Sequence, residues 1–329
     1  MKGKFRLVVW VLIAVLLLLT VVSLQTGYAQ LSLGDFFDAK DSVNSQIAHL
    51  RTVRTLSMIL CGVAVPTSGF LLQEYFQNPL AGPSVLGITS VAGLAVAVYI
   101  FAAKDWALSS FLQSSFISLS AFGGSLALMF LLLAYSRIFS DKTYLIIFGF
   151  LISALAGAVI SILQVYAQSE SLKSYVLWSF GSNGQLGDNE VIILLSLVVT
   201  GLVLSFKSIK PLIGSSLGSS YAVSLGIDTR RMELLIILAS SLLSGAVTAF
   251  LGPILFVGII VPHFCRMLWN ASQLWHQWIL NLLFGSSLML LFSIISEKTA
   301  LPLNIISSLF GVPVILVMLV RQNRNRYAQ

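Results

Sequence analysis

Three histidines (His49, His263, His276), two cysteines (Cys61, Cys265) and twelve carboxylates are the whole stock of metal-ligating and acid–base side chains in this 329-residue chain. Their spacing assembles no site. There is no H-E-x-x-H pair and no C-x-x-C, and both cysteines fall within apolar runs, where a thiol packs as a small hydrophobe. The only Gly-Lys step is Gly3-Lys4, so a glycine-rich loop able to cradle the phosphates of ATP is missing. No catalytic residue, metal or cofactor is expected. The polar residues that do carry spacing are of another kind. Arg51 and Arg54 stand at i and i+3; QNPLAGPSVLG covers 77–87; a Gly/Ser-rich stretch with flanking cations covers 211–231; GPILFVGIIVPHFCR covers 252–266. Two arginines at i and i+3 share one helix face, and Gly-Pro steps interrupt helices.

Composition decides which elements hold these residues. Charged residues make up 9% of the chain and hydrophobic residues 57%, whereas a soluble domain is roughly a quarter charged. Disorder, a coiled coil and a disulfide scaffold fail on the same figures. Lipid must be the main solvent. The long uncharged runs are Leu7–Gly34, Thr55–Gln73, Tyr75–Ala103, Trp106–Ser136, Thr143–Ser169, Val191–Phe206, Leu234–Cys265, Met267–Ser296 and Thr299–Val320. A helix needs about 20 apolar residues to cross a bilayer. Leu234–Cys265 is too long for one span and is cut at Gly252-Pro253, giving spans near 233–250 and 254–268. Val191–Phe206 is slightly short, and Ser174–Gly187 and Pro211–Ile227 read as loops or interfacial segments. Val8–Val22 is apolar on every face, which excludes a membrane barrel. It also exceeds a signal peptide's usual apolar core, so it reads as a span. The expected fold is an all-α polytopic membrane protein of ten transmembrane helices in a single domain, 1–329.

Lys and Arg set its orientation. With ten spans the termini share a side, and that side collects thirteen Lys and Arg against four carboxylates; the other has six against eight. Both termini are expected in the cytoplasm. The pI of about 9.5 then needs no nucleic acid as partner. Span centres lack charge, Glu74 lying near a helix end and Asp105 at a boundary, which argues against an ion-coupled carrier.

The same stretches have plainer physical readings. Arg51 and Arg54 share a helix face and could anchor it at the interface by snorkelling. Residues 211–231 could be a solvated connector, although Tyr221, Val223, Leu225 and Ile227 are poorly suited to open water. Residues 252–266 could be a packed, kinked helix.

Together, however, they resemble the permease subunits of the iron-siderophore, haem and vitamin B12 family of ABC importers (type II). In that family the elements run R-x-x-R, R-N-P-L-A-x-P-x-x-L-G, W-x-x-G-S, A-x-x-L-G-[VI], a G-P-I-x-F stretch ending P-H-x-x-R, and a closing L-P…G-x-P. Here they correspond to Arg51 and Arg54, 77–87 with Gln77 in place of the first Arg, Trp178–Ser182, Ala222–Ile227, Gly252–Arg266 and Leu301–Pro313, in order over about residues 1–321. The resemblance implies a translocation path at the interface of two permease subunits, homo- or heterodimeric, in the bacterial inner membrane. It implies a cytoplasmic ABC ATPase dimer that supplies the energy and a periplasmic or lipid-anchored substrate-binding protein. Arg51 and Arg54 inherit docking of that protein, with Lys298 as a weaker counterpart. Ser219, Ala222, Leu225, Gly226 and Asp228, in a cytoplasmic loop of about 207–232, inherit contact with the ATPase. The inner gate of relatives lies near the start of span five, which points to Thr143, a residue that on the sequence alone reads as an interfacial helix start. Asn78, Pro79, Gly252, Pro253, Pro262 and Arg266 belong to the structural motifs. Gly82-Pro83 and Gly252-Pro253 suggest an inverted repeat of spans 2–5 and 7–10.

The expected function is therefore a non-enzymatic permease subunit for an iron–siderophore complex, or for haem or cobalamin. The alternative is a secondary transporter or channel independent of any ATPase. The topology has a direct test: reporter domains fused to either terminus should both report cytoplasm, and a split result would remove the even span count.

Overall fold

The computed structural model describes residues 2–36, 42–102, 110–138, 142–183, 186–216, 218–270 and 272–327. Asp38, Lys40, Asp41, Lys104, Asp105 and Asp141, counted above for charge, lie outside them. Every regular element among the described residues is a helix: α1 Lys2–Gln25, α2 Val43–Phe76, α3 Ile88–Ala102, α4 Ser110–Ser136, α5 Lys142–Tyr166, α6 Ser169–Ser179, α7 Asp188–Ser215, α8 Ser219–Ser224, α9 Thr229–Leu251, α10 Val257–Leu268, α11 Leu274–Thr299 and α12 Leu303–Tyr327, with a 3-10 turn at Leu33–Phe36. Seven are long and apolar enough to cross a membrane, and three shorter apolar helices cover 88–101, 257–268 and 303–318. The uncharged runs of the sequence each overlap at least one of these helices, of which seven have the length to cross. The chain is a multi-pass, all-helical membrane protein.

Helix α2 is the axis of the packing. Its 34 residues reach about 51 Å, and 83% of its most apolar window is buried, against 11% for α1 and 17% for α5. Helix α2 lies against α11, α10, α9 and α7; α9 lies against α7, α4, α2 and α3. Without a hydrophobic force between helices in lipid, close approach has to come from small residues. A Cβ on Gly62 would sit 2.4 Å from the Gly285 carbonyl oxygen, and one on Gly285 only 2.1 Å from that of Gly62. Lower down, a Cβ on Gly69 would overlap Gly258 at 1.8 Å. Where α2 crosses α9, the Ser68 hydroxyl donates to the Ser240 backbone carbonyl at 2.9 Å and the Ser240 hydroxyl donates to the Ser68 backbone carbonyl at 3.5 Å.

The break at Gly252-Pro253 has the expected position and a fuller cause. Gly252 has φ +77, and a Cβ there would meet the Trp178 carbonyl at 2.7 Å. The Leu251 carbonyl that the helix leaves free accepts from Ser182 N–H at 2.7 Å, and Asn304 N–H bonds the Phe180 carbonyl at 3.1 Å. Three chain segments are thereby joined by backbone bonds, as non-helical backbone within a membrane protein requires.

Three expectations change. Ser174–Gly187 is not a plain loop, because α6 occupies its first half, with Tyr175 buried. The stretch from Pro211 does not begin a loop: α7 continues through Pro211 to Ser215, since Ser208, Ile209 and Leu212 are buried on one face and offset the hydrogen bond that Pro211 removes. At 28 residues α7 is not short, and the connector proper shrinks from about 207–232 to 216–228, holding the single helix α8.

Gly285→Val should lower the unfolding midpoint of the purified protein in detergent, by the equivalent of about 1–3 kcal/mol of overpacking. Gly123→Ala, whose added Cβ meets nothing within 4 Å, should leave it unchanged.

Candidate functional site: two polar ends of the helical bundle

Polar side chains gather at opposite ends of α2. At the first end, Arg51 and Arg54 do not project into solvent; they are 5% and 8% exposed. The Arg51 guanidinium donates to the carbonyls of Leu24 (3.2 Å), Gln25 (3.1 Å) and Ala29 (2.6 Å). Arg54 donates to those of Ser23 (2.7 Å) and Thr26 (2.8 Å) and pairs with Glu297 at 2.8 Å. Both cations thus satisfy the unpaired carbonyls at the C-terminus of α1, where the helix dipole favours positive charge. Arginine suits this because its planar fork carries five donors. Glu297 also accepts from Asn183, whose carbonyl oxygen takes the Ser293 hydroxyl at 2.7 Å. His49 and Asp188 pair nearby at 2.7 Å. The i, i+3 spacing did place both arginines on one face, but the exposed pair anticipated from sequence is instead a buried clamp joining α1, α2 and α11.

Beside it opens a cleft of about 710 Å³ with Tyr28, Arg51, Arg54, Asn183 and Glu297 in its wall. An adjoining cleft of about 470 Å³ carries Lys298, which is exposed, together with Glu297 and Tyr28. The three cations singled out from the sequence therefore converge. Glu297 lines both clefts and pairs directly with Arg54.

At the other end, α2 stops in a left-handed residue, Gln77. The Asn78 carboxamide accepts the Leu80 N–H at 3.0 Å, and Asn78 N–H bonds the Gln73 carbonyl at 3.2 Å. Asn78 and Pro79 thus build the turn that ends the helix. Arg266, on α10, pairs with Glu74 at 3.2 Å and donates to the Gln73 side chain, while Gln73 reaches the Ile259 carbonyl at 3.3 Å. Pro262 is buried one turn earlier in α10. Thr143 is exposed in the first turn of α5.

The connector is built with care. Ser219 opens α8, and the helix closes in a Schellman cap: Ile227 N–H to the Ala222 carbonyl (3.0 Å) and Gly226 N–H to that of Val223 (2.9 Å), with Gly226 at φ +76. Ile227 packs onto Gly214 of α7. Asp228 caps α9, accepting Arg231 N–H at 3.0 Å. Ala222 is fully buried, yet Tyr221, Val223 and Leu225 around it are 50%, 61% and 56% exposed. A rigid helix seated on α7 and α9 thus turns three apolar side chains outward at a polar end of the molecule. The arrangement supplies docking surfaces and bracing. Among the described residues no group of three or more His, Cys, Asp or Glu is placed to hold a metal.

The sequence profile of the FecCD transport family matches residues 15–321. The chain belongs to that family. As a FecCD member it is a permease subunit of the iron-siderophore, haem and vitamin B12 class of ABC importers. It is similar to the hemin transport system permease of Yersinia pestis, 31% identical with 99% of both chains covered. It is also similar to the vitamin B12 import system permease of Vibrio vulnificus, 29% identical over 98% of this chain and 96% of the relative. Among solved structures, an inward-facing metal-chelate type ABC transporter superposes with a TM-score of 0.75 at 26% identity, covering 96% of this FecCD chain and 99% of that one.

The clamp has a measurable coupling. In a double-mutant cycle on thermal unfolding in detergent, Arg54→Ala and Glu297→Ala should couple by about 1–3 kcal/mol. Arg54→Lys should recover only part of the loss, because one ammonium cannot serve two carbonyls and a carboxylate in that planar geometry.

Proposed function

We propose that this chain is a single-domain permease subunit of a bacterial inner-membrane ABC importer. Its ten helices cross the membrane with both termini in the cytoplasm, and spans 2–5 and 7–10 form an inverted repeat. The mirrored packing, α2 on α10 and α11 and α9 on α3 and α4, supports that repeat. Two permease subunits, alike or related, enclose the path. The cargo we favour is an iron–siderophore complex, with haem and cobalamin as the alternatives carried by the named relatives. A cytoplasmic ATPase pair drives the cycle, and a periplasmic or lipid-anchored binding protein delivers the cargo to the end bearing Arg51, Arg54 and Lys298. Because the two arginines already hold α1 and Glu297, a docking acid would compete with internal acceptors, and Lys298 is the cation free to meet it first.

The observation that carries this reading is the outward apolar face of α8. Tyr221, Val223 and Leu225 are a small anchor cluster of the type that seats in a partner's pocket, on a helix braced to pass displacement into α9. An ATPase-independent secondary transporter has no use for such a face.

Leu225→Asp is the appropriate test, since a substitution at Gly226 would disturb its positive-φ backbone whether or not a partner binds there. In proteoliposomes holding the chain, its co-expressed ATPase and its binding protein, wild type should accumulate one of a panel of ferric hydroxamate, haemin and cyanocobalamin only with ATP. Leu225→Asp should insert normally and lose about tenfold or more of that uptake, given about 1–2 kcal/mol for an interface anchor. Uptake by the chain alone, without ATPase, would establish the secondary-transporter reading instead.

A further inference from the structure

Helices α7 and α11 both pack beside α2 but meet each other only lightly. Side chains bridge the seam between them toward the end that carries α8. The Trp278 indole N–H donates to the Ser205 hydroxyl at 2.9 Å. The Phe206 ring stands edge-on to Trp275 and Trp278, with ring centroids 4.9 and 5.9 Å away. Phe206 is about half exposed, and both indoles are partly so. Lys207 and Lys210 follow on α7; both are exposed, and neither forms an ion pair among the described residues. Lys210 lies one turn beyond Phe206 on the same face, and Lys207 is its neighbour at i, i+3. The carboxylates of these two helices, Asp188, Glu190 and Glu297, all stand at the opposite end.

We propose that this seam is a site for an anionic phospholipid of the surrounding membrane, with its phosphate between Lys207 and Lys210 and its acyl chains along Phe206, Trp275 and Trp278. Depth, polarity and charge agree on that occupant. The uncharged stretch Val191–Phe206 rises about 24 Å, so a hydrocarbon layer of about 30 Å reaches Lys207, whose stem snorkels its ammonium to the headgroups. Tryptophan rings collect at that same level, with the apolar body toward lipid and the N–H toward a polar partner. Two unpaired cations beside a groove between spans form the arrangement that takes anionic headgroups. A protein partner would have to enter lipid to cover the three rings, whereas a phospholipid covers rings and lysines together. The inference needs only that the chain crosses a membrane, and it stands apart from the cargo and partners assigned above.

The test uses the purified full chain in dodecyl maltoside, with dioleoyl phosphatidylglycerol compared with dioleoyl phosphatidylcholine. Native mass spectrometry reads retained lipid, and the thermal unfolding midpoint reads its effect. Wild type should retain phosphatidylglycerol in preference and unfold at a higher temperature with it, while phosphatidylcholine does neither. Lys207→Gln and Lys210→Gln should each weaken retention about fivefold, and together about thirtyfold, the size expected of lysines at an anionic surface. Arginine at both positions should restore retention. Lys173→Gln, which removes an exposed cation of α6, should leave it unchanged. Millimolar inorganic phosphate should not displace the lipid, because it cannot occupy the aromatic part of the seam. Displacement by phosphate, equal retention of the two lipids by wild type, or undiminished retention in the double glutamine variant would each overturn the assignment.

Discussion

Two helix backbones can approach to within van der Waals contact only where neither carries a Cβ, and α2 meets that condition twice, at Gly62 against Gly285 and at Gly69 against Gly258. The other contacts of α2 presuppose this approach. In lipid, apolar side chains gain nothing by leaving their solvent, so the attraction between helices is dispersion and hydrogen bonding at short range. With α2 seated against α10 and α11, its Ser68 reaches Ser240 of α9 and its two polar ends are carried to fixed places. Bulk at either glycine pair would separate the helices and pull both ends out of register together.

The charges follow a consistent rule. Four cations on the helices are engaged by acceptors of defined geometry. Arg51 and Arg54 take the carbonyls of α1 and the carboxylate of Glu297, Arg266 takes Glu74 and Gln73, and Lys142 takes the Tyr75 carbonyl. Each cation joins helices distant in sequence, so the scarce charge of this chain works as a set of cross-links. Specific ties of this kind favour one arrangement of the bundle over others of similar apolar packing.

The long apolar helices were legible in the sequence because uncharged runs and lipid thickness leave little choice, and the break at Gly252-Pro253 because proline and glycine act locally. Asn78 and Asp228 are readable as a turn and a cap from residue type and position. Pro211 misled, because a proline signals helix termination locally whereas the burial of Ser208, Ile209 and Leu212 against neighbouring helices is a tertiary matter. The burial of Arg51 and Arg54 was not readable, since most of their partners are main-chain carbonyls, which carry no signature, and Glu297 lies far along the chain.

The junction at Gly252 bears on the order in which the molecule is made. Helix α10, at 12 residues, measures about 18 Å, so its crossing is completed by the non-helical chain that leads into it from Gly252. The bonds that stabilise its entry involve Ser182, already synthesised, and a network ending at Asn304, which leaves the ribosome after α10 and α11. During vectorial synthesis, in which N-terminal parts fold first, this crossing waits with its junction incomplete until the start of α12 arrives. Biogenesis, and not only transport, is thus exposed to any change in the segment that begins α12.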